Sequence, residues 1–358
     1  MAAITYKCPN CGAGLRFEPE LQKYKCDFCG SSFTQKQLQT LAPDEASDQT
    51  VPKDEADPAG TGAACGEGEA VVYTCPSCGA SVVTDSTTAA TFCYYCHSPV
   101  VLQGRLSGTY LPDRVIPFKY DRKKAQEIFL DYVKHKHFVP GAFFSKDQIE
   151  KLSGVYYPFW VFEGTIEGRL SGRADKIRTY ISGDMEFTET SIYQVERGGR
   201  IGIQNLSRNA LSESDKNLID SVMPFRLKEA QPFSMGYLQG FVAQRRDIEQ
   251  DQIAGEMQTR AKKYADMALR ETLSEYTTVT AADSDLRVED EHYSYMLLPV
   301  WLLTYRALDG KKYFFAMNGQ TGEIHGKLPV ASGKLAMAAG GVGGIVFALT
   351  LALLYLLL

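Results

Sequence analysis

Histidine is scarce in this chain: five in 358 residues, two of them in Lys134-His135-Lys136-His137. Histidines two apart do not share a helix face. That pair reads as a solvated helix end, with a weak metal or pH-sensitive spot as the alternative. The phosphate loop G-x-x-x-x-G-K-[ST] is absent, because Gly326-Lys327 has Thr321 at the first glycine position and Leu328 at the hydroxyl position. The nucleophile elbow G-x-S-x-G, the zinc-protease motif H-E-x-x-H and the dinucleotide fingerprint are also missing. Carboxylates are scattered without a defensible acid–base pair, so the sequence reads as non-enzymatic.

Surplus positive charge is lacking too: 38 Lys and Arg against 43 Asp and Glu leave a net charge of −5. A surface that tracks phosphates needs clustered cations. Residues 1–40 carry Lys7, Arg16, Lys23, Lys25 and Lys36 against Glu18, Glu20 and Asp27, a net +2, and residues 71–105 are neutral. Tyr6, Phe17, Tyr24 and Phe28 could stack on single strands, but such aromatics more often pack around a metal. Charge therefore disfavours nucleic acid and leaves it as the runner-up, a membrane-tethered regulatory protein using the first cysteine unit. The start, Met1-Ala-Ala-Ile-Thr-Tyr-Lys-Cys8, has no apolar secretory segment. A reducing compartment follows, where thiols favour metal over disulfide.

Cysteine, by contrast, is patterned. Eight of nine fall into two copies of one spacing, Cys8-x2-Cys11-x14-Cys26-x2-Cys29 and Cys75-x2-Cys78-x14-Cys93-x2-Cys96. A pair two residues apart points two thiolates at one cation, and a second pair completes a tetrahedral set that suits Zn2+. Gly12 and Gly79 follow the second ligand of each first pair, where the turn needs a permissive backbone. Two structural zinc ions, one per unit, are expected, each unit being too small to fold on an apolar core alone. Filling both sites moves the net charge from −5 to about −9. Disulfides and a redox pair are the bland alternatives. His97 could displace Cys96 as a ligand, and Cys65 is left as a free thiol.

The last 24 residues, Leu335 to Leu358, carry no charge. At about 1.5 Å rise per residue they span the ~30 Å hydrocarbon core. Gly340-x-x-x-Gly344 fits close helix packing in a bilayer, and a homo-oligomer stays open. His325, Lys327 and Lys334 precede the span, which places the N-terminal bulk in the cytosol.

The expected fold class is α+β: two small four-cysteine zinc ribbons, a mixed α/β central domain with antiparallel strands, and one C-terminal transmembrane helix. Ribbon one takes residues 1–40 and ribbon two 71–103. Between them, residues 41–70 hold eight acids against Lys53 alone, net −7, and read as a flexible, self-repelling spacer. Residues 113–330 form a platform domain, and 335–358 the membrane helix. Asp121 caps a helix with apolar positions Ala125, Ile128, Phe129, Tyr132 and Val133, and Ser145-x-x-Gln148 reads as a capping box. Strand-rich stretches follow in V155–G172 and from Lys176 to Glu196. A long helix runs from Glu249 to Leu273, with Ile253, Met257, Ala261, Tyr264 and Ala268 along one face. Asp309-Gly310 marks a hairpin, and Asn318-Gly319 with Thr321-Gly322 a further turn.

The segments around Pro158-Phe159-Trp160 and Pro299-Val300-Trp301 echo each other and hold both tryptophans. Either Pro opens a strand and Trp fills the core, or the two elements pair and present Trp160 and Trp301 as a platform surface. Pro117-Phe118, Pro158-Phe159, Pro224-Phe225 and Pro232-Phe233 add aromatic candidates, most of them expected to pack.

The paired CPxCG…CxxC units, the acidic spacer, Gly154-Val155-Tyr156-Tyr157-Pro158-Phe159-Trp160, Pro232-Phe233-x3-Tyr237-Leu238-x-Gly240-Phe241 and the ending LLPVWLL…FAMNGQTGEI resemble bacterial TFIIB-type zinc-ribbon membrane proteins. Members are often labelled primosomal helicase-like, a label that the missing phosphate loop rejects here. Some relatives are encoded beside phage-shock-protein A and SPFH-domain homologues. The resemblance implies a membrane anchor or adaptor that recruits such proteins in envelope stress. The expected arrangement is two ribbons on a tether above a platform near the lipid bilayer.

Overall fold

The apolar and alternating stretch that opens at Ser153 does not stop where the sequence suggests a break: it continues as one strand of thirty residues. The structure is a computed structural model. It describes residues 3–4, 7–41, 71–74, 81–84, 87–92, 99–102, 106, 108–136, 138–140, 152–212, 216–306, 312–326, 328 and 330–357. The acidic spacer, the Ser145 capping box, His137 and the Asp309-Gly310 turn lie outside the described residues.

Strand β1 (Ala3–Ile4) precedes a small antiparallel sheet of β2 (Leu15–Glu18), β3 (Lys23–Cys26) and β4 (Ser32–Phe33). Helix α1 (Gln35–Leu41) closes this unit. Thr34 and Gln37 cap it reciprocally: the Gln37 N–H donates to Thr34 Oγ1, and the Thr34 N–H donates to Gln37 Oε1. Next come two hairpins, β5 (Val71–Thr74) with β6 (Ser81–Thr84), and β7 (Thr88–Phe92) with β8 (Pro99–Leu102). The first forms its own two-stranded sheet, and the second joins the main sheet of eleven strands. The segment expected as a separate second ribbon is thus partly sewn into the platform.

After β9 (Arg114–Val115), helix α2 (Arg122–Lys134) starts at Asp121, whose carboxylate accepts the Lys124 N–H at 2.6 Å. Ala125, Phe129 and Val133 are buried as expected. Strands β10 (Ser153–Ser182) and β11 (Met185–Asn209) form one hairpin, turning at Gly183-Asp184 with Gly183 at φ +64°. Short elements follow: α3 (Lys216–Ser221), β12 (Gln231–Pro232) and β13 (Val242–Gln244). Helix α4 (Gln250–Glu271) buries Ile253, Met257, Ala261, Ala265 and Leu269. The expected face drifts at its end: the helix keeps a four-residue step, so Ala265 and Leu269 turn inward and Tyr264 is exposed. Strand β14 (Thr278–Arg306) returns antiparallel along β10, and β15 (Lys312–Asn318) and β16 (Ile324–Gly326) complete the sheet. The Asn318 carboxamide oxygen accepts the Gln320 and Thr321 N–H groups in the turn between β15 and β16.

β10 is the axis of the molecule. It pairs with β14 from Ser153 to Asp175 and with β11 from Phe159 to Ser182. The echoed Pro-Trp segments do pair, with Gly154 opposite Trp301 and Trp160 opposite Tyr295. Their tryptophans are not a surface, however: Trp160 is 6% exposed and Trp301 3%. Both sides of this part of the sheet are covered, so the large apolar rings fill the core. All four phenylalanines of the Pro-Phe pairs are buried as well. Phe118 stacks on Phe241 at 4.1 Å and meets Trp301 edge-on at 5.1 Å. Buried Arg246 lies against the rings of Tyr110, Trp160 and Tyr295, pairs with Glu249 and donates to the Thr109 carbonyl. Its charge is thereby compensated.

Helix α5 (Ser332–Leu357) contains a stretch, Gly333–Leu351, of mean hydropathy 1.7 with none of it buried. By length and composition it can cross a membrane. Its root is tied down. The Ala331 N–H donates to the Phe138 carbonyl at 2.7 Å, and Lys334 Nζ to the Val139 carbonyl at 2.9 Å. These residues follow α2, whose Phe129 packs on Phe315 of β15. β15 in turn pairs with the end of β14 that faces Ser153. The root of α5 and the tip of the β10–β11 hairpin therefore lie at opposite ends of the sheet.

Candidate metal centre

The first cysteine unit folds into two matching turns. The Gly12 N–H donates to the Cys8 carbonyl at 2.8 Å, and the Gly30 N–H donates to the Cys26 carbonyl at 2.9 Å. The Cys8 and Cys26 N–H groups reach Ala13 and Ser31 carbonyls at 2.6 and 2.9 Å. Each turn needs a left-handed residue, and glycine supplies it: φ is +74° at Gly12 and +73° at Gly30. The β2–β3 hairpin brings the turns together, and Asn10 Nδ2 donates to Ser31 Oγ at 2.9 Å across them.

The four sulfurs of Cys8, Cys11, Cys26 and Cys29 all lie within 4.8 Å of one another. The Cys8–Cys29 and Cys11–Cys26 Sγ pairs are 3.6 and 3.5 Å apart. Such separations are those of thiolates around one tetrahedral cation, with sulfur about 2.3 Å from a zinc ion. Cys8 and Cys26 are buried, and Cys11 and Cys29 are exposed. Hydrogen bonding with the Ser31 side chain and backbone holds the Cys29 thiol down at about 6. Cys11 receives a lowering backbone hydrogen bond at Ala13, yet desolvation and the crowding thiols of Cys26, Cys29 and Cys8 push it up to about 12. The donor set fits a soft divalent metal ion.

This unit is docked, not free. The Phe17 N–H donates to the Gln239 carbonyl at 3.1 Å, and Gln22 Nε2 to the Phe118 carbonyl at 2.9 Å. Phe17 and Tyr24 are buried against Tyr237, at ring distances of 5.1 and 6.5 Å. Gly236 allows the approach, because a Cβ there would sit 2.5 Å from Tyr24 Oη. A cleft of about 690 Å³ opens along the junction, lined among others by Arg16, Phe17, Asp121, Arg122, Gly240 and Trp301. The expected freely tethered ribbon one is thus replaced by one seated on the Phe233–Phe241 segment. The reason is apolar: Phe17 and Tyr24 cannot be satisfied within so small a unit.

Of the two readings of Phe28, stacking on single strands or packing round a metal, the packing one does not hold: Phe28 is 83% exposed at the tip of the second turn. The available signal was its place between two clustered thiols, Cys26-Asp27-Phe28-Cys29, where a side chain next to one sulfur points away from the cluster. Cys75, Cys78, Cys93 and Cys96, and His97 beside them, lie outside the described residues. Thr74 pairs with Ser81 and Phe92 with Pro99, so each CxxC pair is bracketed by the ends of a hairpin. Gly340 and Gly344 are exposed on α5, with open space where a Cβ would stand.

A Bacillus subtilis protein, the uncharacterized YdjG, is 31% identical over 344 residues, covering 96% of this chain and 95% of YdjG. The chain belongs to the YdjG family. The likeness runs over nearly the whole of both chains and is not confined to the cysteine units. No family model matches the chain, and no solved structure does.

Proposed function

We propose that this chain is a non-enzymatic, membrane-anchored zinc-ribbon adaptor that recruits partner proteins at the cytoplasmic membrane. The observation that carries this reading is the placing of Phe28. An exposed aromatic stands at the tip of a thiol-rich turn, and the unit that carries it is docked through Phe17 and Tyr24 on the platform that also roots an uncovered apolar helix. Aromatic tips of this kind serve as contact anchors. The metal is zinc and structural. A second zinc ion belongs to Cys75, Cys78, Cys93 and Cys96, whose spacing repeats the first set.

The membrane-embedded part is α5, with Gly340 and Gly344 as a packing face. Thiolate chemistry and Lys334 ahead of the span support a cytosolic position for everything before it. The resemblance to TFIIB-type zinc-ribbon membrane proteins supplies the partner class: phage-shock-protein A or SPFH-type proteins acting in envelope stress. Stacking on nucleic acid has less to draw on, since Phe17 and Tyr24 are buried.

The test uses full-length chain taken from nuclease-treated membranes in mild detergent, with bound proteins identified by mass spectrometry. The adaptor reading expects coiled-coil or SPFH-type membrane proteins with the wild type and their loss with Phe28→Ala. Retained, nuclease-protected nucleic acid with no such protein would overturn it.

A further inference from the structure

The β10–β11 hairpin outruns everything that covers it. β14 begins at Thr278, opposite Asp175, and α4 ends at Glu271 with Leu269 and Leu273 packed on Leu170, Ala174 and Val195. Beyond that point residues 176–191 continue as two strands alone. Two-stranded hairpins are marginal in water. This one also exposes apolar side chains on both faces: Tyr180 and Phe187, stacked at 5.6 Å, on one, and Ile177 and Ile181 on the other. Ile181 is 77% exposed.

The β10 side of this extension is an open backbone edge. The Thr277 N–H donates to the Asp175 carbonyl at 2.8 Å, and the Ile177 N–H to Thr277 Oγ1 at 3.0 Å. Odd-numbered residues therefore face outward here, and strand alternation puts Thr179 and Ile181 in the same phase. Among the described residues no strand pairs with this side of residues 176–182. Such an edge is a template for another strand.

We propose that two copies of this chain join through this edge, β10 against β10, about a two-fold axis at Thr179. The fold sets the register. Thr278 bounds the unpaired stretch at one end and the Gly183 turn at the other, and a pairing centred on Thr179 spans 176–182 in both copies, with the Ile177 N–H exchanging Thr277 Oγ1 for the Ile181 carbonyl of the second copy. Thr179 is also in the outward phase, so it exchanges both backbone hydrogen bonds with its own copy. Ile177 then lies opposite Ile181, Arg178 opposite Tyr180, and Lys176 opposite Ser182. These are apolar, cation–aromatic and neutral pairs, with no like charges opposed. The result is a closed four-stranded sheet, β11–β10–β10–β11, as an isologous contact requires. A lipid occupant fits less well: Asp184, Glu186 and Glu189 crowd the tip, which lies at the far end of the sheet from α5. From Ser153 to Thr179 the strand rises ~85 Å, so the pairing leaves the two α5 roots at opposite ends of the joined hairpins.

The experiment is oxidative cross-linking of the full-length, zinc-loaded chain in detergent, in a Cys65→Ser background. Thr179→Cys is compared with Thr188→Cys, its cross-strand partner in the same hairpin, which faces out on the β11 side. A disulfide-linked dimer from Thr179→Cys and none from Thr188→Cys is expected. Sedimentation should show the parent protein at twice the chain mass. Thr179→Pro, which removes only an outward N–H, and Ile181→Asp should both halve it without losing bound zinc. Three results would overturn the proposal: no cross-link at Thr179, equal cross-linking at both positions, or a Thr179→Cys thiol shielded only by liposomes.

Discussion

Gly236→Ala separates a docked ribbon from a tethered one. A Cβ at position 236 would stand 2.5 Å from Tyr24 Oη and 2.7 Å from Tyr24 Cε1 and Cζ. Tyr24 has little room to yield, being 2% exposed with Phe17 at 5.5 Å and Tyr237 at 6.5 Å. Overpacking of this kind costs about 1–3 kcal/mol, a shift of roughly 5- to 150-fold in the equilibrium between seated and released ribbon. The assay is native-state amide exchange on the zinc-loaded protein. The Phe17 amide, bonded to Gln239 across the junction, should lose protection by that factor. The Cys8, Gly12, Cys26 and Gly30 amides bond within the ribbon and should keep theirs. Gly255→Ala is the control, since nothing lies within 4 Å of a Cβ there. Unchanged protection at Phe17, or equal loss in both sets, would refute the docking argument.

Cys8→Ser should remove one metal ion and unfold ribbon one while leaving membrane association intact, read by metal content and by membrane flotation; release from the membrane would contradict the separation of these two parts. Deleting residues 332–358 should give a chain that stays in the supernatant, and its persistence on membranes would place lipid contact on the platform. On α4, Ala265→Glu buries an unpaired charge and should cost several kcal/mol in denaturant unfolding. Tyr264→Glu, one residue away but 49% exposed, should stay within about 0.5 kcal/mol.

Chemistry and local pattern made part of this molecule legible. Cysteine spacing singles out Cys8, Cys11, Cys26 and Cys29, which the fold brings together, because a tetrahedral donor set tolerates few alternatives. Asp121, the apolar run of α2 and the start of α4 are readable because caps and a 3.6-residue period act within a few turns. What escaped lies in long-range pairing. The segment V155–F162 is covered on both faces, so it shows no alternation, while Glu167 to Ala174 alternates; nothing local says that both belong to one strand. β7 joins the main sheet through β13, some 150 residues away, at Ala90 opposite Ala243. Trp160 and Trp301 resemble an interface by composition and prove to be core, because the cover arrives from distant segments such as Tyr237–Phe241 and Arg246. The seating of ribbon one escaped for the same reason: Gly236 has a purpose only once Tyr24 is beside it.

The central claim is a zinc-built contact head fixed to a membrane-rooted platform. Its most direct test is metal content per chain, by elemental analysis of the detergent-purified full-length protein and of its Cys11→Ser variant. Two zinc ions falling to one is the predicted result. A metal-free wild type, or a variant that retains both ions, would contradict the account.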